Sequence, residues 1–321
     1  KISKFFTMAT SAMAQSASVV YMIRPVRFAF NPETAVDNVF QIVPQEKEEE
    51  IQAKALQEFD GYVETLRSKG IEVIVFEDTK DPHTPDSIFP NDWCSYHEDG
   101  TVGLYPMFAA NRRLERREDL LEDLQKKHGF KITRRLDLTE YEKQGKYLEG
   151  AGVLIFDYPN KVVYCSVSNR AQKDMIELAA AELGYKAVTF KAVDHKGADL
   201  YHTTVVMALG EKYAIICEDS VCDPKEKEVL WKTLEETGHE IISITFEQMY
   251  AYAGNALEFI NSKGERFLSM SRRAVNSLTT EQKARIGKYA ELLSIPLEVI
   301  EDNGGGSARC MIGDCRLPRE K

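Results

Sequence analysis

The stretch GVLIFDYPNKVVYCSVSNRAQKDMIELAAAELGYKAVTFK, residues 152–191, contains the pattern that decides the fold. Its first part predicts a β-hairpin that turns at residues 158–161. RAQKDMIELAAAELG predicts a helix that ends at Gly184, because glycine readily adopts the left-handed conformation of a helix C-terminus. YKAVTFK then predicts a third strand. One unit of the chain is therefore a hairpin followed by a helix and a strand.

The same order of elements recurs along the chain, with hairpins near residues 92, 153, 203 and 256. The unit from residue 203 begins with the predicted hairpin TTVVMALGEKYAIICE. The unit from residue 256 ends with the predicted helix TTEQKARIGKYAELL and the predicted strand PLEVI. A fifth unit is divided between the chain ends, where ARCMIG near residue 310 predicts a strand beside VVYMIRP of residues 19–25. A helix over residues 46–70 and the strand IEVIVFE complete this unit.

Five such units, joined through the two ends of the chain, predict an α/β fold in which the units form a ring with fivefold pseudosymmetry. A doubly wound open sheet is the alternative, but it would alternate single strands with helices rather than hairpins with helices. No linker rich in Pro, Gly or Ser divides the chain, so residues 18–321 are predicted to be a single domain. Residues 1–17 are predicted to be an N-terminal extension, poorly ordered or non-native.

The composition of the 321 residues restricts the class of protein. Hydrophobic residues make up 43% of the chain and the formal net charge is −10. A negative charge disfavours nucleic acid and anionic membranes as partners and attracts a small cationic substrate. Six cysteines are too few for a disulfide scaffold, which favours a cytoplasmic protein. The equal spacing of Cys217/Cys222 and Cys310/Cys315 leaves a zinc site as a weaker alternative.

Chemically useful side chains occur at matching positions of the five units. The residues at or just before the hairpin starts are Asp92, Glu149, His202, Asn255 and Cys310. If the units are equivalent, these five side chains converge on one central cavity. The glycines of GGGSARC before Cys310 would let the backbone approach closely there.

A cysteine beside a histidine is the arrangement of an activated nucleophile, because a thiolate is the attacking form. Nearby carboxylates would hinder ionisation of the thiol unless the substrate is a planar cation such as a guanidinium, which carboxylates bind in a two-pronged manner. Each of these residues alone is more often structural, so their convergence carries the hypothesis. Cys94, Cys165 and Cys217 lie in predicted strands and are expected to be inert. Cys315 is expected to be as exposed as Cys310.

Seven stretches together resemble the guanidine-modifying superfamily, the penteins, which includes arginine deiminases, dimethylarginine hydrolases and amidinotransferases. The resemblance covers nearly the whole chain after the extension and is nearest to the citrulline-utilisation hydrolase-type branch of arginine-deiminase-related proteins. The stretches are MIRPVRFAFNPETAVDNVFQ (22–41), FPNDW (89–93), MFAANRRLERR (107–117), YLEGAG (147–152), LYHTTVVM (200–207), AGNALEF (253–259) and GGGSARCM (304–311).

This resemblance implies a five-bladed propeller without a metal or an organic cofactor. It implies that Cys310 is the nucleophile and that His202 is the general acid and base. Glu149 would orient the histidine and touch the guanidinium, and Asp92 would grip the guanidinium nitrogens.

The resemblance also implies that Arg112 and Arg170 hold the carboxylate of an amino-acid substrate. The alternative is that both are solvated arginines at helix ends. Arginine deiminases carry a second substrate aspartate two residues after the histidine, where this chain has Thr204. LEGAG also lacks the acid that follows the corresponding EGG sequence in those enzymes. Free arginine is therefore not assured as the substrate, and a substituted guanidine or a ureido compound is as plausible.

The function implied is a cysteine-dependent hydrolase that acts on a guanidine or ureido group through a covalent thiouronium intermediate. An amidinotransferase, which would exclude water and admit an acceptor amine, is the nearest alternative. A non-catalytic binding protein of the same fold is the alternative from another class. The oligomeric state and the identity of the substrate are not predicted.

Overall fold

A computed structural model describes residues 14–320 of the chain. Within these residues there are five separate three-stranded sheets. The fifteen strands of the described residues are β1 (Val19–Arg24), β2 (Glu72–Glu77), β3 (Cys94–Tyr96), β4 (Thr101–Leu104), β5 (Arg134–Asp137), β6 (Ile155–Asp157), β7 (Val162–Ser166), β8 (Lys186–Phe190), β9 (Met207–Leu209), β10 (Tyr213–Cys217), β11 (Glu240–Ile244), β12 (Leu257–Ile260), β13 (Arg266–Ser271), β14 (Glu291–Ile295) and β15 (Gly313–Asp314).

Helices connect the strands, and the longest one precedes β2. The α-helices of the described residues are α1 (Glu48–Ser68), α2 (Glu118–Lys126), α3 (Gly150–Val153), α4 (Lys173–Leu183), α5 (Thr203–Val206), α6 (Pro224–Glu236), α7 (Phe246–Tyr250), α8 (Arg272–Ser277), α9 (Thr280–Ile286) and α10 (Glu298–Gly304). Short 3-10 helices span Asn111–Glu115, Thr139–Gln144 and Glu218–Ser220.

Every sheet has the same topology. A first strand pairs antiparallel with a middle strand, and the outer strand pairs parallel with the middle strand, as in β6–β7–β8. The sheet β15–β1–β2 has this topology too, although β15 comes from the end of the chain. The predicted unit of hairpin, helix and strand is confirmed in all five blades.

The five blades form a ring around one axis. The first strands contact one another or the adjoining turn from blade to blade: β15 with β3, β3 with the turn α3 before β6, β6 with β9, and β9 with β12. A bridge between Ala17 and Phe259 joins the last blade to the first. The predicted five-bladed α/β propeller is confirmed, and the open parallel sheet is excluded because no sheet has more than three strands within residues 14–320.

The predicted outer strand of the unit from residue 256 was wrong. The outer strand is ELLSI of β14, and the stretch PLEVI that was predicted as a strand lies mostly in the helix α10. Val299 and Ile300 favour a strand by propensity. Their backbone N–H groups instead donate to the Glu58 carboxylate of α1, both at 3.0 Å, so that a side chain from another element satisfies the first turn of α10. The predicted helix TTEQKARIGKYAELL is correspondingly shorter and ends at Ile286.

The chain also turns just before three of the five first strands. Residues 203–206, predicted as the start of a strand, form the one-turn helix α5, and α3 has the same place before β6. ARCMIG was predicted as a strand, but Cys310 lies in a turn and the strand β15 begins only at Gly313. Each such turn lets a side chain leave the sheet edge and point toward the axis.

The predicted extension of residues 1–17 lies mostly outside the described residues. Residues 15–17 are described and pack on the blades: the Gln15 side chain donates to the Phe156 carbonyl at 2.8 Å, and the Ala17 backbone exchanges hydrogen bonds with Glu258 and Ile260. The packed chain therefore begins at least three residues before Ser18. Among residues 14–320, none of the helices has the length and apolar character that crossing a membrane requires.

Candidate active site

The five residues at matching positions of the blades are all buried. Asp92 precedes β3, Asn255 precedes β12 and Cys310 precedes β15, while Glu149 and His202 stand immediately before the one-turn helices α3 and α5. Their exposed fractions range from 0% for Glu149 to 6% for Cys310. The structure thus brings together residues that lie far apart in the sequence.

His202 and Glu149 form the shortest contact of this group. The Nε2 atom of His202 lies 2.6 Å from Oε2 of Glu149, and the His202 Nδ1 atom lies 3.9 Å from Oδ1 of Asp92. Burial alone would raise the pKa of Glu149, but Arg170 and the hydrogen bond with His202 hold that pKa well below its usual range. Glu149 is therefore an ionised carboxylate that fixes the imidazole through Nε2.

Cys310 has an amide as its nearest polar partner. The Asn255 Nδ2 atom lies 3.1 Å from the Cys310 Sγ atom, and the Cys310 backbone N–H donates to the Ser307 carbonyl at 3.0 Å. Burial, with the negative charge of Asp92, raises the pKa of the Cys310 thiol, and the Asn255 contact counters part of this rise. A raised pKa favours the neutral thiol, and a positive charge nearby would favour the thiolate.

Cys310, His202 and Asp92 line one cavity. Arg112, Arg170 and Tyr201 line it as well, and Glu149 lies behind His202. Of the five side chains predicted to converge on one cavity, three line it, and Glu149 and Asn255 contact two of those three from behind. Glu149 reaches the cavity only through the imidazole and the Arg170 side chain.

Glycines make room where the chain passes close to this cavity. Gly305 ends α10 in the left-handed conformation, with φ of 66°. A Cβ atom on Gly304 or Gly306 would lie 2.7 or 2.8 Å from the Phe89 ring. A Cβ atom on Gly152 would lie 2.0 Å from Oδ1 of Asp92. Side chains at these positions would displace the groups that line the cavity.

Arg112 is held inside the protein by carboxylates. Its guanidinium donates to Asp92, to both oxygens of Glu115 at 2.9 and 2.8 Å, and to the Phe89 carbonyl at 2.9 Å. Burial raises the pKa of Glu115 to about 8 despite this pairing. At 3% exposure Arg112 is not a solvated arginine. Most of its donors are already used, so that Arg112 positions Asp92, and the role of holding a substrate carboxylate stays a prediction.

Arg170 is equally buried, at 1% exposure, and also pairs with two carboxylates. It donates to Asp37 from Nε and Nη2, and its Nη1 atom lies 3.4 Å from Oε2 of Glu149. The guanidinium lies over the Tyr201 ring, 4.6 Å from the ring centre. The alternative of a solvated helix-end arginine is therefore wrong for this residue as well.

Sequence reasoning missed several residues of the site. Asp37, Asp86 and Glu115 supply three of the carboxylates around the two arginines, and Asn255 was placed near the axis without a role. Asp86 and Glu115 are two among the 51 acidic residues of the chain. Only their burial distinguishes them, and burial could not be inferred from the sequence.

One group of side chains could hold a metal ion. Asp92, Glu149 and His202 place one potential ligand atom each within 4.8 Å of one another. The Oε2 atom of Glu149 is already hydrogen-bonded to His202, so that these residues satisfy one another without an ion. No cysteine belongs to such a group within residues 14–320. The absence of a metal remains a prediction.

The chain matches the model of the family described as N,N dimethylarginine dimethylhydrolase, eukaryotic. The match covers residues 24–317 of the chain. No curated protein sequence matches the chain significantly.

Solved structures with the same fold share few residues with the chain. The N-terminal domain of ArgZ with a covalently bound reaction intermediate is 17% identical, with a TM-score of 0.69, and 94% of this chain and 99% of that domain are covered. Full-length ArgZ, an arginine dihydrolase of the ornithine–ammonia cycle in cyanobacteria, is 16% identical with a TM-score of 0.70, and the match covers 94% of this chain but 41% of ArgZ. An adduct of a dimethylarginine dimethylaminohydrolase variant with S-methyl-L-thiocitrulline is 15% identical, with a TM-score of 0.61 and coverage of 92% and 99%. At this identity the likeness shows the fold alone.

Proposed function

Because the chain belongs to the N,N dimethylarginine dimethylhydrolase family of the pentein superfamily, hydrolases of amidine C–N bonds, we propose that it hydrolyses the guanidine or ureido group of an arginine-like small molecule at Cys310. The observation that carries this proposal is the shared cavity of Cys310, His202 and Asp92, with Glu149 fixing the imidazole at 2.6 Å. A nucleophile, a proton carrier and an anion for the cationic substrate are the three groups that this chemistry needs.

Asp92 and Glu149 provide the negative charge that a guanidinium needs. Of the two, Asp92 lines the cavity directly and is itself held by Arg112. A planar guanidinium bound to Asp92 places its carbon in front of the thiol. Its positive charge also offsets the charge of Asp92 that raises the pKa of Cys310, so that substrate binding favours the thiolate.

In the first step the Cys310 sulfur forms a bond to the guanidine carbon, and the electron pair of the C=N bond moves to nitrogen. When this pair returns, the bond from carbon to the leaving nitrogen breaks. His202 takes the proton of the Cys310 thiol and then gives this proton to the departing amine. The product of this step is a covalent alkylthiouronium on Cys310.

In the second step water attacks the same carbon, and His202 accepts the proton of the water. The C–S bond then breaks, the ureido product leaves, and the proton returns to the Cys310 sulfur. The net reaction is the addition of water to a guanidine with release of an amine, and no oxidant or metal is consumed. Because Glu149 binds Nε2, the proton transfers are assigned to Nδ1 of His202.

The residues around the cavity suggest an amino-acid-like substrate. Asp86 lines the cavity, and its Oδ1 atom has no hydrogen-bond partner among residues 14–320, so that it can accept from an ammonium group. Arg170 is the candidate for a carboxylate. Thr204, which replaces the second acid of arginine deiminases, donates to the Gly152 carbonyl at 2.9 Å and lines a different cavity. The guanidinium is thus gripped by fewer carboxylates, which suits a substituted guanidine.

The free state of all six cysteines supports a reducing compartment, which we propose is the cytoplasm.

The proposal is tested by a mass-spectrometric screen of guanidino and ureido compounds, with ammonia and amine release measured beside ureido product formation. Hydrolysis predicts one amine and one ureido product per turnover, and incorporation of ¹⁸O from labelled water into the ureido oxygen. Transfer of the amidino group to an added amine, without ¹⁸O incorporation, would identify an amidinotransferase instead. Cys310→Ser is the matched control, because it removes the thiol and leaves the cavity in place.

A further inference from the structure

The guanidinium of Arg170 is already bound by a carboxylate of the protein itself. Both oxygens of Asp37 accept from it, Oδ2 from Nε at 3.1 Å and Oδ1 from Nη2. Asn169 adds a hydrogen bond from Nδ2 to the same carboxylate at 2.6 Å. This two-pronged geometry is the one by which an arginine recognises the carboxylate of a small molecule.

The other sides of this guanidinium are covered. Tyr201 lies against one face and Phe108 lies nearby, with ring centres 4.6 and 5.9 Å from the central carbon. Glu149 takes the inner edge, through Nη1. The edge formed by Nε and Nη2 is therefore the one that remains for another carboxylate, and Asp37 occupies it.

Asp37 is the outer member of this ion pair. Its side chain is 21% exposed, whereas that of Arg170 is 2% exposed. An anion that enters from solvent meets Asp37 before it meets Arg170.

We propose that Asp37 determines specificity as an internal competitor for Arg170. A substrate with a free carboxylate binds by displacing the Asp37 carboxylate, whereas a guanidine without a carboxylate leaves the ion pair intact. This inference rests on the proposed function of the same site. It names Asp37 as the residue that sets the preference between the two substrate classes.

The segment that carries Asp37 is suited to such a displacement. Residues 25–47, between β1 and α1, contain bends and turns but no helix or strand. Asp37 lies close to Val36 and Val39, which are 73% and 54% exposed. Moving the Asp37 side chain away from Arg170 therefore uncovers little buried apolar surface. Two carboxylates cannot share one guanidinium edge without repulsion, so the Asp37 pair opposes carboxylate binding directly.

The test compares L-arginine with agmatine, which has the same guanidine but no carboxylate. Binding is measured by calorimetry in a Cys310→Ser background, in which the nucleophile is absent. Asp37→Asn keeps the shape of the side chain and removes its charge. We expect this change to tighten L-arginine binding at least fivefold and to change agmatine binding by less than twofold.

Glu33→Gln is the matched control. It removes a negative charge from the same segment, where Glu33 accepts from the Asn111 backbone and does not contact Arg170. We expect it to change neither dissociation constant more than twofold. If Asp37→Asn changes the dissociation constants of both ligands equally, or does not change that of L-arginine, the inference is overturned while the proposed function stays intact. If neither compound binds either protein, the inference is overturned, while the proposed function is decided separately by the screen of guanidino and ureido compounds.

Discussion

Different side chains of the site serve in substrate binding and in proton transfer, and their positions determine which role each one has. Glu149 is fully buried and holds Nε2 of His202, so that Nδ1 is the nitrogen left on the side of Asp92. Asp92 is in turn held by Arg112. Positive charge brought by the substrate therefore enters a site whose carboxylates are already fixed in place, and little reorganisation accompanies the reaction.

At the residue scale, the raised pKa of Cys310 predicts that the charge of a reagent decides which thiol it labels. Cationic chloroacetamidine should label Cys310 first, because Asp92 attracts it and its charge favours the thiolate. Neutral iodoacetamide should label Cys222 first, since that thiol is exposed and Cys310 is buried. Peptide mapping after each reagent measures the ratio, and Asp92→Asn should lower the preference of chloroacetamidine for Cys310. Equal labelling of Cys310 and Cys222 by both reagents would contradict this account.

Four other thiols, those of Cys94, Cys165, Cys217 and Cys315, are buried as well. Cys315 is as exposed as Cys310, as predicted, because both are 6% exposed, and burial raises the pKa of Cys315 as well. Cys94 and Cys165 lie in strands as predicted, and burial raises the pKa of each to about 12. Strand thiols could be predicted from sequence because alternation of apolar residues marks a buried strand. The neighbourhood of Cys315 depends on contacts between the two chain ends, which alternation does not show.

At the element scale, α10 contains a buried acid whose ionisation should affect stability. Glu301 is 0% exposed, and burial raises its pKa from 4.5 to about 7 despite a hydrogen bond from Ser307 at 2.6 Å. Because the folded-state pKa is the higher one, the stability that the protonated acid provides is full below pH 4.5 and is lost as the pH rises through 7. The loss amounts to about 3 kcal/mol.

Glu301→Gln should therefore remove this decline of stability with rising pH. Chemical denaturation at pH 4.5 and pH 8 measures the free energy of unfolding of both proteins. Glu298→Gln, on the same helix, is the control. Burial would raise the pKa of Glu298, but Arg272 and other partners lower it. The contribution of Glu298 to the free energy of unfolding therefore changes with pH in the opposite direction. If the free energy of unfolding depends on pH equally in the wild-type protein and in Glu301→Gln, then Glu301 ionises in the folded protein without a loss of stability, which would contradict this prediction.

Prediction from sequence succeeded for elements whose ends are marked by local chemistry. Gly184 ends α4 in the left-handed conformation, as the sequence predicts. It failed for PLEVI, because the Glu58 carboxylate that satisfies the N–H groups of Val299 and Ile300 comes from a helix some 240 residues earlier. The order of elements was therefore predictable, whereas boundaries set by tertiary contacts were not.

At the scale of the whole molecule, the ring is closed by the pairing of β15 with β1, where Gly313 faces Tyr21. A Cβ atom on Gly313 would lie 2.1 Å from the Tyr21 ring. Gly313→Ala should lower the free energy of unfolding by about 1–3 kcal/mol, because the strands cannot close over the added methyl group. Activity should fall with it, since Cys310 lies three residues earlier.

Gly61→Ala is the control for this prediction. Gly61 lies within α1, and a Cβ atom there would meet nothing within 4 Å. This change should raise stability by about 0.5–1 kcal/mol through helix propensity and leave activity unchanged. Thermal unfolding and turnover of both variants measure the effects. A Gly313→Ala protein with wild-type stability would mean that the ring is not closed in this way.

The central claim is that Cys310 attacks the guanidine carbon and that His202 completes the reaction. Its most direct test uses a guanidine substrate that the enzyme turns over. The reaction is quenched rapidly with acid, the intact mass of the protein is measured, and peptide mapping then locates the modified residue. The account predicts an adduct with the mass of the substrate minus its leaving amine, on Cys310 alone, and His202→Ala should slow both the formation and the hydrolysis of this adduct. Cys310→Ser should show neither adduct nor turnover. Turnover by Cys310→Ser, or an adduct on another cysteine, would contradict the account.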